Sequence, residues 1–257
     1  MTQIYTPDGG LKGKVKRLAS RFMAVTPLEY TLDHAIVSFS FDDFPKSAAT
    51  NGARILQNYD WRATYYATGG FAGGHTHFGA MYDSSDLLRL RSSGHEIACH
   101  GFSHRDGTKI SAEASDNECR ANREFLRLAG HEGDISTYAF PYGETRPQTK
   151  PRLLQHYSVL RGVRAGINRT GSDRGLLNAV SLDGGQAGLA AGLNWIERVR
   201  ARPGWLIFFG HDVCETPTPW GCTPRHLEQI CEAVKSEGFT VLPVGEAITY
   251  IDGKADA

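Results

Sequence analysis

What this chain has little of narrows the field first. No apolar run is long enough to span a bilayer, and none near the start has the form of a signal-peptide core. We therefore expect a cytoplasmic protein with no transmembrane segment. Neither sign of charge is in excess: 28 Lys and Arg balance 28 Asp and Glu. Without a basic surplus nothing calls for a nucleic-acid partner, whose phosphates need one. Cysteine is confined to Cys99, Cys119, Cys214, Cys222 and Cys231, an odd number without the paired spacing of a zinc finger. In a reducing compartment these read as free thiols, although Cys214 and Cys222 are near enough in sequence to bridge. Internal repeats, low-complexity tracts and Pro/Gly/Ser linkers are also lacking, and nothing in the sequence speaks to oligomeric state.

What is present suits one large α/β domain. The 257 residues are 40% hydrophobic and 22% charged, enough for a substantial core at a length common among (β/α) barrels. Residues 1–32 read as an N-terminal arm and 33–257 as the barrel. In the arm Leu11, Val15, Leu18 and Phe22 recur at helical spacing among Lys12, Lys14, Lys16, Arg17 and Arg21. That pattern predicts a short helix packed on the body with a solvated basic face. The sharper alternative is reversible contact with an anionic membrane surface.

Beyond residue 35, strand candidates are Ile36–Phe41, Ala63–Thr68, Glu96–Cys99, Thr137–Phe140, Ser158–Arg161, Asn178–Leu182, Trp205–Phe209 and Phe239–Leu242. Helices are predicted over Ser84–Ser93, Ser111–Ala129 and from Thr223-Pro224 to Glu237, each followed by glycine. Strand–helix alternation implies a mainly parallel sheet, and seven or eight strands in one domain a closed or nearly closed TIM-like barrel.

In such a barrel the working residues sit where strands end. Asp42-Asp43 follows the first strand, His100-Gly-Phe-Ser-His104 the third, Pro141-Tyr142-Gly143 the fourth and Gly210-His211-Asp212 the seventh. An H-x-x-x-H pair alone is weak and commonly two surface histidines. With a carboxylate from Asp43 it becomes a two-His, one-carboxylate site for a divalent metal ion, zinc by default. Adjacent acids are usually a solvated turn, yet these two directly follow an apolar strand. In extended backbone they point opposite ways, which suits one acid on the metal and the other facing water as base. His75-Thr76-His77 lies in a Gly-rich stretch and reads as a mobile loop in preference to a second metal site. Trp220, in a Pro-rich segment, either faces a sugar or anchors its loop.

Ser40-Phe41-Asp42-Asp43-Phe44-Pro45, Gly94-His95-Glu96-Ile97, His100-Gly101-Phe102-Ser103-His104, Phe140-Pro141-Tyr142-Gly143 and Ile207-Phe208-Phe209-Gly210-His211 resemble, in order, the motifs of the polysaccharide deacetylase family (NodB homology, carbohydrate esterase 4). The resemblance spans roughly residues 35–250. It implies a distorted (β/α) barrel and a divalent metal held by Asp43, His100 and His104. It further implies Asp42 as base, a Tyr142 backbone N–H for the oxyanion and His211 as acid. The reaction implied is removal of N-acetyl groups from an amino-sugar or oligosaccharide by a metal-activated water. Pro141, Trp220 and Asp183 are the candidate substrate-side residues, Asp183 as the acid of the family's fourth motif.

The chain departs from the family pattern in three places, one of them the fourth motif, where no Trp closely follows Asp183. Gly101 stands where Ser or Thr usually follows the first metal histidine. Ala139 replaces the arginine that orients the catalytic Asp, leaving Arg161 and Arg164 as candidate substitutes. Two rival readings follow: an allantoinase-like hydrolase of a cyclic amide or ureide, and a non-catalytic carbohydrate-binding relative.

Overall fold

In the computed structural model, which describes residues 5–255, strand β1 (Ile36–Asp42) is buried along its whole length. It forms the middle of a parallel sheet covered on both faces, where apolar residues run without alternation. β9 (Trp205–Gly210) is equally buried and pairs with β1 from Ile36–Trp205 to Phe41–Gly210. The other neighbours in the sheet are β2 (Thr64–Ala67), β5 (Glu96–Cys99), β6 (Thr137–Ala139), β7 (Val159–Arg161) and β8 (Val180–Ser181). Their order is β7-β6-β5-β2-β1-β9-β8, all parallel, and β10 (Thr240–Val241) pairs with the start of β1. A bridge between Arg161 and Leu177 ties the edge strand β7 to the segment entering β8. There Leu177 donates its N–H to Leu160 at 2.8 Å and Gly162 donates to Leu177 at 2.9 Å. The sheet therefore curls back on itself, giving the distorted (β/α) barrel the sequence predicts.

Helices α3 (Ser84–Ser92), α4 (Ala112–Leu128) and α7 (Pro224–Ser236) form where the sequence places them. Asp83 and Asp86 make a reciprocal capping box on α3, and Ser111 and Thr223 cap α4 and α7 through their hydroxyls. α3 stops because Gly94, at φ 79°, accepts the left-handed turn. α2 (Ala53–Gln57), α5 (Thr149–Leu153), α6 (Gly185–Ala201) and α8 (Val244–Ala255) complete the helices around the sheet. At the N-terminal rim of the barrel Glu96 accepts from Thr64 and Thr137 at 2.6 Å and from the Gly245 N–H at 2.9 Å. It locks the positive end of α8 to the sheet. The opposite rim, where the strands end, is left for chemistry.

The arm corrects one expectation. Helix α1 (Leu11–Phe22) forms and lies on the body, but through its other face. Gly13 and Ser20 are its buried residues. Arg17 pairs with Glu144 at 2.7 Å, the Ser20 hydroxyl donates to the Thr145 carbonyl at 2.5 Å, and Lys150 reaches the Ser20 carbonyl at 2.7 Å. Leu11, Val15, Leu18 and Phe22 keep 79%, 56%, 56% and 63% of their surface in water. Periodicity identifies a face but not its partner, and here polar anchors on the opposite side decide which face is covered.

His75-Thr76-His77 also differs from the mobile-loop expectation. β3 (His75–Thr76) and β4 (Gly79–Ala80) form a short hairpin, pinned where Met81 donates to Gly74 at 3.0 Å and Gly73 to Tyr82 at 2.7 Å. All five cysteines are free, Cys214 and Cys222 meeting only through a 3.2 Å backbone bond. Among the described residues no helix is long and apolar enough to cross a membrane.

Candidate metal centre and active site

Asp42 is the last residue of β1, and Asp43 leaves the strand at φ 54°. The two side chains therefore diverge through a left-handed turn and not through strand alternation as expected. Among the described residues, four of the six non-glycine residues with positive φ, namely Asp43, Phe44, His104 and Tyr142, lie at this rim. Such conformations cost roughly 1–3 kcal/mol each and concentrate at functional sites.

Asp43, His100 and His104 converge: their ligand atoms all lie within 4.8 Å of one another. One Asp43 oxygen is 3.9 Å from His100 Nε2 and the other 3.4 Å from His104 Nε2. Thr68, just past β2, donates its hydroxyl to Asp43 at 2.9 Å. His100 Nδ1 lies 2.8 Å from the Ala139 carbonyl. The carbonyl requires the proton on Nδ1, so the Nε2 lone pair faces Asp43, the arrangement common to metal-bound imidazoles. Burial lowers the pKa of His100 to about 4 and that of His104 to about 3, so both are neutral at pH 7. Burial raises the Asp43 carboxyl, with His100 and His211 opposing it only in part. Two neutral imidazoles around a desolvated carboxylate fit a divalent cation.

Asp42 answers to a different partner. Burial alone would raise its carboxyl, but the Arg161 guanidinium, with His100 and His211 nearby, holds it below the ordinary carboxylate range. Arg161 is fully buried; its Nη2 donates to Asp42 and its Nη1 to the Gly162 carbonyl at 2.9 Å. Its plane lies between Tyr66 and Phe209, 4.9 and 5.1 Å from their ring centres. Arg161 stands in register with Ala139 on the adjacent strand. In-register residues of parallel neighbours point to the same face, so an arginine lost from β6 is supplied by β7. Arg164 is exposed and bonds Asn178 instead. The other departure has a backbone reason: Gly101 has φ 77°, which strains a β-branched residue.

His211 closes the far side. Its Nδ1 contacts the Trp220 carbonyl at 3.2 Å and its ring stacks on Phe78 at 4.8 Å. His77 packs against Trp220 at 5.2 Å, so the hairpin and Trp220 wall the rim together. Asp212 is turned away, accepting from the N–H and hydroxyl of Thr218 at 2.7 Å to brace that loop. Tyr142 occupies a one-turn 3-10 segment, its ring 4.4 Å from His104 and 4.6 Å from Tyr5. Pro141 is buried against Gly101 and shapes this turn from behind. Asp183 accepts the Ser181 hydroxyl at 2.9 Å and lies near Cys222 and His226, just past β8 where that strand runs beside β9. Sequence reasoning missed Thr68, Phe78 and Tyr5. Only Thr68 carried a signal, as a polar residue closing a predicted strand.

A family model described as polysaccharide deacetylase matches residues 29–157, about half the chain. The chain belongs to the polysaccharide deacetylase family. The matched span holds Asp42, Asp43, both metal-competent histidines and Tyr142; Arg161 and His211 lie beyond it and reach the site through the fold. A bifunctional xylanase/deacetylase of Pseudobutyrivibrio xylanivorans is 28% identical over 88 residues, 34% of this chain and 14% of that protein. The peptidoglycan-N-acetylmuramic acid deacetylase PdaC of Bacillus subtilis is 22% identical over 147 residues, 55% and 29% respectively. The chain thus spans under a third of either curated relative. Among solved deacetylase structures, the chitin deacetylase of the fungal pathogen Colletotrichum lindemuthianum aligns with TM-score 0.60 at 18% identity, over 86% of this chain and 90% of that one. At that identity the likeness is one of fold.

Proposed function

We propose that the chain is a divalent-metal-dependent deacetylase that hydrolyses N-acetyl groups on an amino-sugar or oligosaccharide, with zinc as the cation best matched to its donor set. The observation that carries this reading is the pairing of two unlike carboxylates: Asp43 among two neutral imidazoles, Asp42 on a buried arginine. Neighbouring acids held in different charge environments are the mark of divided acid–base roles.

Asp43, His100 and His104 hold the cation, which when bound supplies polarisation of the acyl group and activation of water. Asp42, kept ionised by Arg161, takes the proton of the attacking water as the new C–O bond forms. The Tyr142 N–H, in a first helical turn with no intrahelical acceptor, donates to the developing oxyanion. His211 delivers a proton to the departing nitrogen as the C–N bond breaks; its Nδ1 is engaged by the Trp220 carbonyl, leaving Nε2 for that transfer. Trp220 at the rim offers an aromatic face to a sugar ring, whereas Pro141 is buried in the turn that carries Tyr142. Of the two departures compatible with a cyclic-amide substrate, Ala139 is offset by Arg161, which partners Asp42 in its stead.

The direct test is acetate release from N-acetylated chitooligosaccharides before and after chelation and zinc return. Turnover that is lost and regained, and that Asp42→Asn abolishes while metal content is kept, is expected. Chelator-insensitive hydrolysis, or full activity in Asp42→Asn, refutes the proposal.

A further inference from the structure

Helix α1 is amphipathic in the inverted sense. A helix at a protein surface ordinarily turns its apolar stripe to the core. This one is fixed to the barrel by Arg17 and Ser20 and turns Leu11, Val15, Leu18 and Phe22 to solvent, a stripe that Met23 and Val25 prolong. No acidic residue lies within the helix, which carries Lys12, Lys14, Lys16, Arg17 and Arg21. Arg17 is used by Glu144, and Lys16 reaches the Thr108 carbonyl at 3.5 Å. Lys12, Lys14 and Arg21 make no ion pair among the described residues.

We infer that α1 is an interfacial helix that seats the barrel on an anionic lipid surface. Exposed aliphatic and aromatic side chains flanked by cations suit the boundary between acyl chains and anionic headgroups, where each element of the pattern is favourable. A second copy of the chain fits less well, because face-to-face packing of two such helices brings cations against cations with no acid between them. The polar anchors give the docked helix a fixed relation to the barrel, so the lipid surface meets one side of the molecule. That side carries a cavity of about 780 Å³ whose wall includes Leu18, Phe22, Val25 and, at the edge of the candidate active site, Tyr142. Docking through α1 therefore brings a saccharide held at a membrane surface to the side of the barrel from which Tyr142 is reached.

The test is sedimentation of the full chain with vesicles of equal phosphatidylglycerol and phosphatidylcholine, against phosphatidylcholine alone. Binding to the anionic vesicles only, weakened by added salt, is expected. The double variant Leu11→Glu/Val15→Glu should bind about tenfold more weakly or worse. Both residues lie away from the cavity and the metal centre, so thermal midpoint and hydrolysis of a soluble oligosaccharide should stay at wild-type values. Lys12→Gln/Lys14→Gln should weaken binding at low salt and lose the salt dependence in part. Equal recovery with and without anionic lipid overturns the inference. So does a wild-type dimer in light scattering that the double glutamate variant converts to monomer. Vesicle binding is read without turnover, so its outcome is separate from that of the deacetylase proposal.

Discussion

Replacing Arg161 with methionine keeps an unbranched apolar side chain in place of its stem but removes the guanidinium that lies against Tyr66 and Phe209 and faces Asp42. The buried Asp42 carboxylate then has two courses. If it stays ionised, breaking a buried pair by removing one partner costs about 3–5 kcal/mol. If it takes a proton, holding a group with an ordinary pKa near 4 in its neutral form at pH 7 costs about 4 kcal/mol. The two costs are similar, so a loss of about 4 kcal/mol at neutral pH is expected, a large part of the 5–15 kcal/mol typical of a domain. The sign with pH follows. In the wild type the Asp42 pKa is lowered, so its contribution is present above the unfolded carboxylate pKa and lost as pH falls through the folded one. In the variant burial is opposed only by the two histidines, the pKa rises, and the penalty grows with pH. The stability gap between the two proteins should therefore be small at pH 4.5 and wide at pH 7.5 in urea unfolding.

Turnover gives a second readout. With Asp42 protonated at pH 7 its role as base is lost, and acetate release should fall about a hundredfold, recovering as pH rises. The acid limb of the kcat/KM profile should move upward. Because positions 139 and 161 stand side by side on β6 and β7, Ala139→Arg in an Arg161→Ala background should return the limb toward its original position. A variant Arg161→Met with the wild-type profile and a stability change within about 0.5 kcal/mol would refute the argument, since surface changes alone have that size.

Three further outcomes are expected. His100→Ala should lose stoichiometric zinc by elemental analysis of the purified protein; unchanged metal content removes His100 from the ligand set. His211→Ala should slow amide substrates about a hundredfold while sparing activated esters, whose leaving groups need no proton; equal losses on both would exclude it as the acid. His95 accepts the Ala63 N–H on Nδ1 at 3.0 Å, and burial, with Arg62 and Arg89, lowers its pKa from 6.5 to about 4. The unfolded chain therefore binds that proton first, so stability present above about pH 6.5 should be lost between there and pH 4. His95→Gln should flatten that part of the urea-midpoint profile, and an unaltered slope would count against the assignment.

Much of the barrel was legible because its signals are local. β1 and β9 are uninterrupted apolar runs, and the hydroxyls of Ser111 and Thr223 cap the turn that follows them. Strand ends fall at the same rim of any parallel barrel, so the acids after β1, the histidines after β5 and His211 after β9 were bound to converge once the topology was known. The region between β7 and β8 was harder to read. Its strands are three and two residues long, and its order comes from side chains such as the buried Asn168, whose amide accepts the Asn178 N–H at 2.9 Å and donates to the Asn178 carbonyl at 3.0 Å.

By itself, then, the sequence determined the main strands, helices α1, α3, α4 and α7 and the residue types gathered at the rim, since these rest on periodicity, caps and residues within a few positions of one another. Tertiary structure alone decided that Arg161 of β7 takes the place vacated at Ala139, because register between strands is not written in either strand alone. It alone decided that Asp43 departs from Asp42 through a left-handed turn and that α1 offers its apolar side to solvent. Each depends on contacts between residues far apart in the chain, whose energies no local pattern records.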